Sequence, residues 1–74
     1  MKVTMKTIRE LREEAGLTQL EVAYRLGVTP ATVSNWERGI FEPKASQLRA
    51  IARLFGVSSD DIELIESDQG KAAA

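Results

Sequence analysis

The stretch TQLEVAYRLGVTPATVSNWERG, residues 18–39, reads as two short helices with almost nothing between them. Thr18 and Glu21 have the spacing of a capping box, in which each side chain bonds the other residue's free amide, and Leu17 stands just before them. Val22, Ala23 and Leu26 make one apolar stripe, and Gly27 stops the helix. The next helix opens at once: Thr29 is its N-cap, Pro30 takes the first helical position and Gly39 closes it. Three residues have a steric task. Ala23 is small enough for two helices to approach closely, Gly27 accepts a positive φ at the turn, and the β-branched Val33 fills the angle between the helices.

Outward from this pair the punctuation stays helical. A first helix is expected from about Thr4 or Thr7 to Ala15, with Met5, Ile8, Leu11 and Ala15 on one face and Gly16 at its end. A later start would use Thr7 and Glu10 as a capping box. After Pro43 a fourth helix is expected over Ala45 to Phe55, with Leu48, Ile51, Ala52 and Phe55 inward and Gly56 closing it. Ser58 with Asp61 then predicts a short fifth helix carrying Ile62 and Ile65. No alternating run reads as a strand. The expected architecture is all-α: a compact five-helix domain over residues 1–66, with a disordered tail at 67–74.

Composition narrows the chemistry. The 74 residues make one domain, and a chain this short buries only about 60% of its unfolded surface. Hydrophobic residues are 43% and charged residues 28%, as in an ordinary soluble protein. With no Cys and no His, the chain lacks thiolate sites, the commonest general base and the commonest metal ligand. It has no Gly-rich phosphate loop, and Asp60 and Asp61 sit in an expected first helical turn, where the dipole favours acids. We therefore expect no enzyme, no metal and no cofactor. No run is apolar enough to span a membrane or to serve as a signal peptide, so the expected location is cytoplasmic. The net charge of −1 conceals an asymmetry: residues 1–56 hold nine basic and six acidic side chains, net +3, and residues 57–74 hold one and five, net −4.

A helix pair of this kind leaves its second helix half exposed, and a helix fits the major groove of DNA, about 12 Å wide. The stretch resembles the helix-turn-helix of the phage-repressor-like (Cro/repressor, Xre-type) family. The resemblance covers roughly residues 5–65. It is carried by Leu17-Thr18-Gln19, Val22-Ala23, Leu26-Gly27-Val28-Thr29, Val33-Ser34 and Trp36-Glu37-Arg38-Gly39, then by Pro43, Leu48, Ile51-Ala52, Phe55-Gly56-Val57-Ser58 and Ile62. It implies a repressor-like DNA-binding domain and double-stranded DNA as the partner.

The resemblance also implies roles. Pro30, Ala31, Thr32 and Asn35 occupy the base-facing positions. Asn can bond an adenine edge bidentately, Thr offers a hydroxyl and a methyl, and Ala offers only a contact for a thymine methyl. This departs from the Gln-rich reading helices of some family members and shifts weight to apolar contacts and DNA shape. Gln19, Ser34, Arg38 and Lys44 match phosphate-contacting positions, with Arg9, Arg25, Arg49 and Arg53 as weaker candidates. Arg12 and Glu37 match a structural ion pair between the first and third helices. Trp36 can stack on a base, but its inward spacing assigns it to the core.

One such domain touches only a few base pairs, so a homodimer reading half-sites about 34 Å apart is expected. Ile40, Phe41, Leu64 and Ile65 lie outside the main stripes and can serve either a two-fold interface, chiefly through the fifth helix, or the core. Some similar proteins act through a protein partner, as antitoxins or transcription adaptors; here the acidic residues 60–68 and Leu64 are the face to expect for that. A domain this small represses most simply by blocking polymerase.

Overall fold

Three of the four helices begin where a threonine takes over amides that the helix itself cannot satisfy. In the computed structural model, which describes residues 5–65, α1 is Ile8–Glu14, α2 is Gln19–Leu26, α3 is Pro30–Glu37 and α4 is Ala45–Phe55. Thr7 and Glu10 cap α1 reciprocally, with Thr7 Oγ1 accepting from the Glu10 amide at 3.1 Å and Glu10 Oε1 from the Thr7 amide at 2.9 Å. Thr18 and Glu21 do the same for α2 at 3.1 and 2.8 Å. Thr29 Oγ1 accepts from the Thr32 amide at 3.2 Å and caps α3. The late start of α1 leaves Met5 outside the helix and half exposed, and Ala15 is exposed at its end, so only Ile8 and Leu11 of the expected stripe are buried. Thr4 and the 67–74 tail lie outside the described residues.

The five-helix, all-α expectation needs correction. Among the described residues the fold has four helices, a 3-10 turn at Ser59–Asp61 and a two-stranded parallel sheet of β1 (Lys6–Thr7) and β2 (Ile62–Glu63), with Lys6 opposite Ile62 and Thr7 opposite Glu63. Ser58 does cap a turn, accepting from the Asp60 amide at 3.2 Å. The turn lasts three residues, however, and Ile62 at φ −96°, ψ 122° is already extended. The physical reason is visible in the side chains: Ile62 is buried, Glu63 exposed, Leu64 half-buried and Ile65 exposed. That period of two suits a strand against a core and not a helix.

Helices of seven to eleven residues are marginal alone, so their stability comes from packing. The core draws Ile8 and Leu11 from α1, Val22 and Ala23 from α2, Val33 and Trp36 from α3, Ile51 and Ala52 from α4, and Ile62 from β2. Val22, Val33 and Ile51 are fully buried at its centre. Leu48 and Phe55 of the α4 stripe are half-buried around it, together with Leu17, Leu26, Val28, Leu54, Val57 and Leu64. Between α2 and α3, Gly27 takes φ +72°, its amide bonds back to Tyr24 O at 3.4 Å, and the Val28 amide bonds to Ala23 O at 3.0 Å. These two bonds close α2 as a Schellman cap and release the chain directly into the Thr29 cap of α3.

Candidate nucleic-acid interface

The far end of α3 is anchored by charge. Arg12 Nε donates to Glu37 Oε2 at 2.6 Å and Nη2 to Oε1 at 3.2 Å, while Nη1 donates to the Leu17 carbonyl at 2.9 Å. Gln19 Nε2 donates to Glu37 Oε1 at 3.0 Å. Glu37 thus binds α1 and the start of α2 to the last turn of α3, and its side chain is only 4% exposed. The hydrogen bond to Glu37 is the main cause that raises the Arg12 pKa above its ordinary value, against the opposing effect of burial, so the guanidinium stays charged. No buried side-chain nitrogen or oxygen among the described residues lacks a partner.

With Val33, Trp36 and Glu37 turned inward, α3 shows its other face. Pro30 and Ala31 in its first turn are exposed; Thr32, Ser34 and Asn35 are half-buried. Thr32 and Asn35 stand one turn apart, as do Ala31 and Asn35, so these side chains share one face. Trp36 is 5% exposed and belongs to the core. Thr32 has a further neighbour that sequence reasoning missed: its Oγ1 lies 2.9 Å from Thr29 Oγ1. The signal was available, because an N-cap side chain bonds the amide two or three positions on, which brings Thr29 and Thr32 together.

Exposed cations follow α3 in the chain. Arg38 follows α3 and is exposed; Lys44 is the N-cap residue of α4 and is also exposed. The Lys44 amide is satisfied by Gln47 Oε1 at 2.7 Å, and its ammonium makes no cap. Among the described residues, ion pairs engage Lys6 with Glu14, Arg9 with Glu13, and Arg12 with Glu37. Arg25, Arg38, Lys44, Arg49 and Arg53 are exposed and outside these pairs.

The residues set aside for a partner separate. Leu64 packs on the core and Ile40 is half-buried, whereas Phe41 is 63% and Ile65 39% exposed. A two-fold interface through a fifth helix is thereby corrected, since that helix does not form. Of the acidic face expected for a protein partner, Asp60 and Glu63 are exposed and Leu64 is half-buried; Glu66 and Asp68 lie outside the described residues. Sequence reasoning passed over Leu20 and Tyr24, 65% and 86% exposed, on the outer side of α2. Their spacing of four residues, offset from the Val22 and Ala23 stripe, is the signal that marks them. No helix among the described residues is long and apolar enough to cross a membrane. None of the described acidic residues cluster in a way that could hold a metal ion.

A family model described as Helix-turn-helix matches residues 8–62. The chain is 42% identical over 65 residues to an uncharacterized HTH-type transcriptional regulator of Methanothermobacter thermautotrophicus, covering 86% of this chain and 94% of that protein. It is 36% identical over 55 residues to the HTH-type transcriptional regulator ImmR of Bacillus subtilis, covering 74% of this chain and 43% of ImmR. Among solved structures, the DNA-binding domain of the P22 c2 repressor superposes with a TM-score of 0.70 at 27% identity, over 81% of this chain and 82% of that one.

Proposed function

The chain belongs to the phage-repressor-like (Xre-type) helix-turn-helix family, and from that premise we propose that it is a sequence-specific double-stranded DNA-binding transcriptional regulator, a repressor that binds operator half-sites as a dimer. The observation that carries this reading is the state of α3. Its inner face is locked by Val33, Trp36 and Glu37, while Pro30, Ala31, Thr32 and Asn35 remain presented together. A rigid, half-exposed helix is what base reading in a major groove requires.

In this reading Asn35 bonds an adenine edge, and Pro30, Ala31 and Thr32 supply close contact beside it. Ser34, Arg38 and Lys44 hold phosphates. Gln19 has two amide hydrogens; one is held by Glu37, which leaves the other for a phosphate at the α2 N-terminus. Each neutralised phosphate adds about 0.9 to the logarithmic salt slope. Of Ile40, Phe41, Leu64 and Ile65, the exposed Phe41 and Ile65 are the two left for a two-fold contact. In this reading it represses, because a domain bound at an operator blocks polymerase. In this reading it works in the cytoplasm.

Selection of random duplex DNA by the purified protein at two salt concentrations tests the proposal. A two-fold symmetric motif with half-sites about one helical turn apart is expected, and Asn35→Ala should relax one position within each half-site at a cost of about 1–3 kcal/mol. Absence of any enriched motif would refute it. A second reading, an antitoxin or adaptor acting through a protein partner, is favoured by Leu20 and Tyr24, since an outward apolar pair on a short helix is suited to contact with another protein.

A further inference from the structure

Thr32 stands in the first turn of α3, and its two side-chain branches differ in what they are free to do. Its hydroxyl lies 2.9 Å from the Thr29 hydroxyl. Thr29 Oγ1 is at the same time the cap of the helix, accepting from the Thr32 amide at 3.2 Å. Whichever of the two hydroxyls donates, the contact ties Thr32 Oγ1 into the cap. That contact fixes the orientation of the Thr32 hydroxyl and leaves it a lone pair, or its hydrogen where Thr29 donates, so a base can bond it only along the direction that Thr29 leaves open. The Cγ2 methyl has no such competing bond. Burial of one methyl-sized group against another gives about fourfold in affinity.

The two residues before Thr32 point the same way chemically. Pro30 and Ala31 are both exposed and carry only methyl and methylene groups. The opening turn of the reading helix therefore presents carbon, and hydrogen-bonding readout begins only at Asn35. In the major groove the one apolar feature of a standard base edge is the C5-methyl group of thymine. We propose that Thr32 recognises a thymine by its C5-methyl through the Thr32 methyl, with its hydroxyl retained by Thr29. This deepens the DNA-binding reading above and rests on it.

The experiment uses the full chain and the duplex motif it selects, with each thymine replaced in turn by deoxyuridine, which removes the methyl and leaves every hydrogen-bonding group. Wild-type protein is expected to bind about fourfold more weakly at one half-site position. Thr32→Ser should lose that discrimination between thymine and uracil, and Thr32→Val, which keeps the methyl and drops the hydroxyl, should retain it. Circular dichroism checks that both variants remain folded. Equal binding of thymine and uracil duplexes at every position overturns the inference while leaving the DNA-binding reading intact. So does a Thr32→Ser protein that discriminates as wild type does, or a Thr32→Val protein that loses the motif. Failure to select any motif removes both.

Discussion

Arg12 and Glu37, 25 residues apart in the chain, meet as a fork on a fork, with Nε to Oε2 at 2.6 Å and Nη2 to Oε1 at 3.2 Å. Their side chains are 13% and 4% exposed, so little water screens the pair. The remaining arm of Arg12 holds the Leu17 carbonyl, and Glu37 also holds Gln19. One carboxylate thus fixes the angle of α3 against α1 and orients a polar side chain at the start of α2.

Breaking this pair from one side should be far costlier than removing it. Arg12→Ala leaves a buried carboxylate without its cation, and a loss of about 3–5 kcal/mol is expected, close to the whole stability of a small domain. Replacing both, as Arg12→Met with Glu37→Leu, should recover most of it, because charges that are no longer there need no solvation. Urea unfolding of the three proteins measures this. A single variant within 1 kcal/mol of wild type, or a double variant no better than the single, contradicts it; the 1 kcal/mol line is about the worth of an exposed pair.

What could be read from sequence divides along a physical line. Thr7, Thr18, Thr29 and the glycines act within four residues of themselves, so helix starts and stops were legible. The β1–β2 pair joins residues at opposite ends of the domain and spans two residues a side, too short for alternation to show. At Ser58 a local cap mimicked a helix start, and the three residues Ile62, Glu63 and Leu64 are too few for their alternation to read as a strand. The inward face of α3 was visible in the spacing of Val33 and Trp36. The bond from Gln19 to Glu37 was not, because nothing local to Gln19 distinguishes it from an ordinary polar first-turn residue.

Gly27 isolates the conformational part of the turn. A Cβ built there meets nothing within 4 Å, so the cost of Gly27→Ala comes from φ +72° alone. A loss of about 1–2 kcal/mol is expected, with Gly27→Asn costing less because Asn tolerates the left-handed region. Denaturant midpoints at unchanged slope give the comparison; Ala and Asn behaving alike would mean that the turn relaxes to another conformation.

The α2 cap gives stability a pH dependence. Hydrogen bonds from Thr18, the backbone amide first and the side chain second, hold the Glu21 pKa below its ordinary 4.5. A carboxylate with a depressed folded-state pKa contributes stability above its unfolded value, and that contribution disappears as pH falls through the folded one. Thermal midpoints should therefore drop in acid more steeply for wild type than for Glu21→Gln, whose neutral amide oxygen can still accept from Thr18. Parallel acid limbs for the two proteins would remove Glu21 from the account.

Lys44 offers the clearest separation of folding from binding. It occupies the N-cap of α4, where Ser, Thr, Asp or Asn would bond the free amides and where a cation opposes the helix dipole. Its ammonium makes no cap, so at this position the sequence forgoes stability. A residue that is poor for the fold and exposed at the start of α4 is explained if its charge meets a phosphate. Lys44→Ser should then raise stability by about 0.5–1 kcal/mol while weakening DNA binding on all sequences and lowering the salt slope by about 0.9. Unfolding curves and salt titrations of the same preparation decide it. If stability rises and the salt slope does not move, Lys44 is a surface charge and the phosphate at this edge must be held by Arg38 or by another exposed arginine.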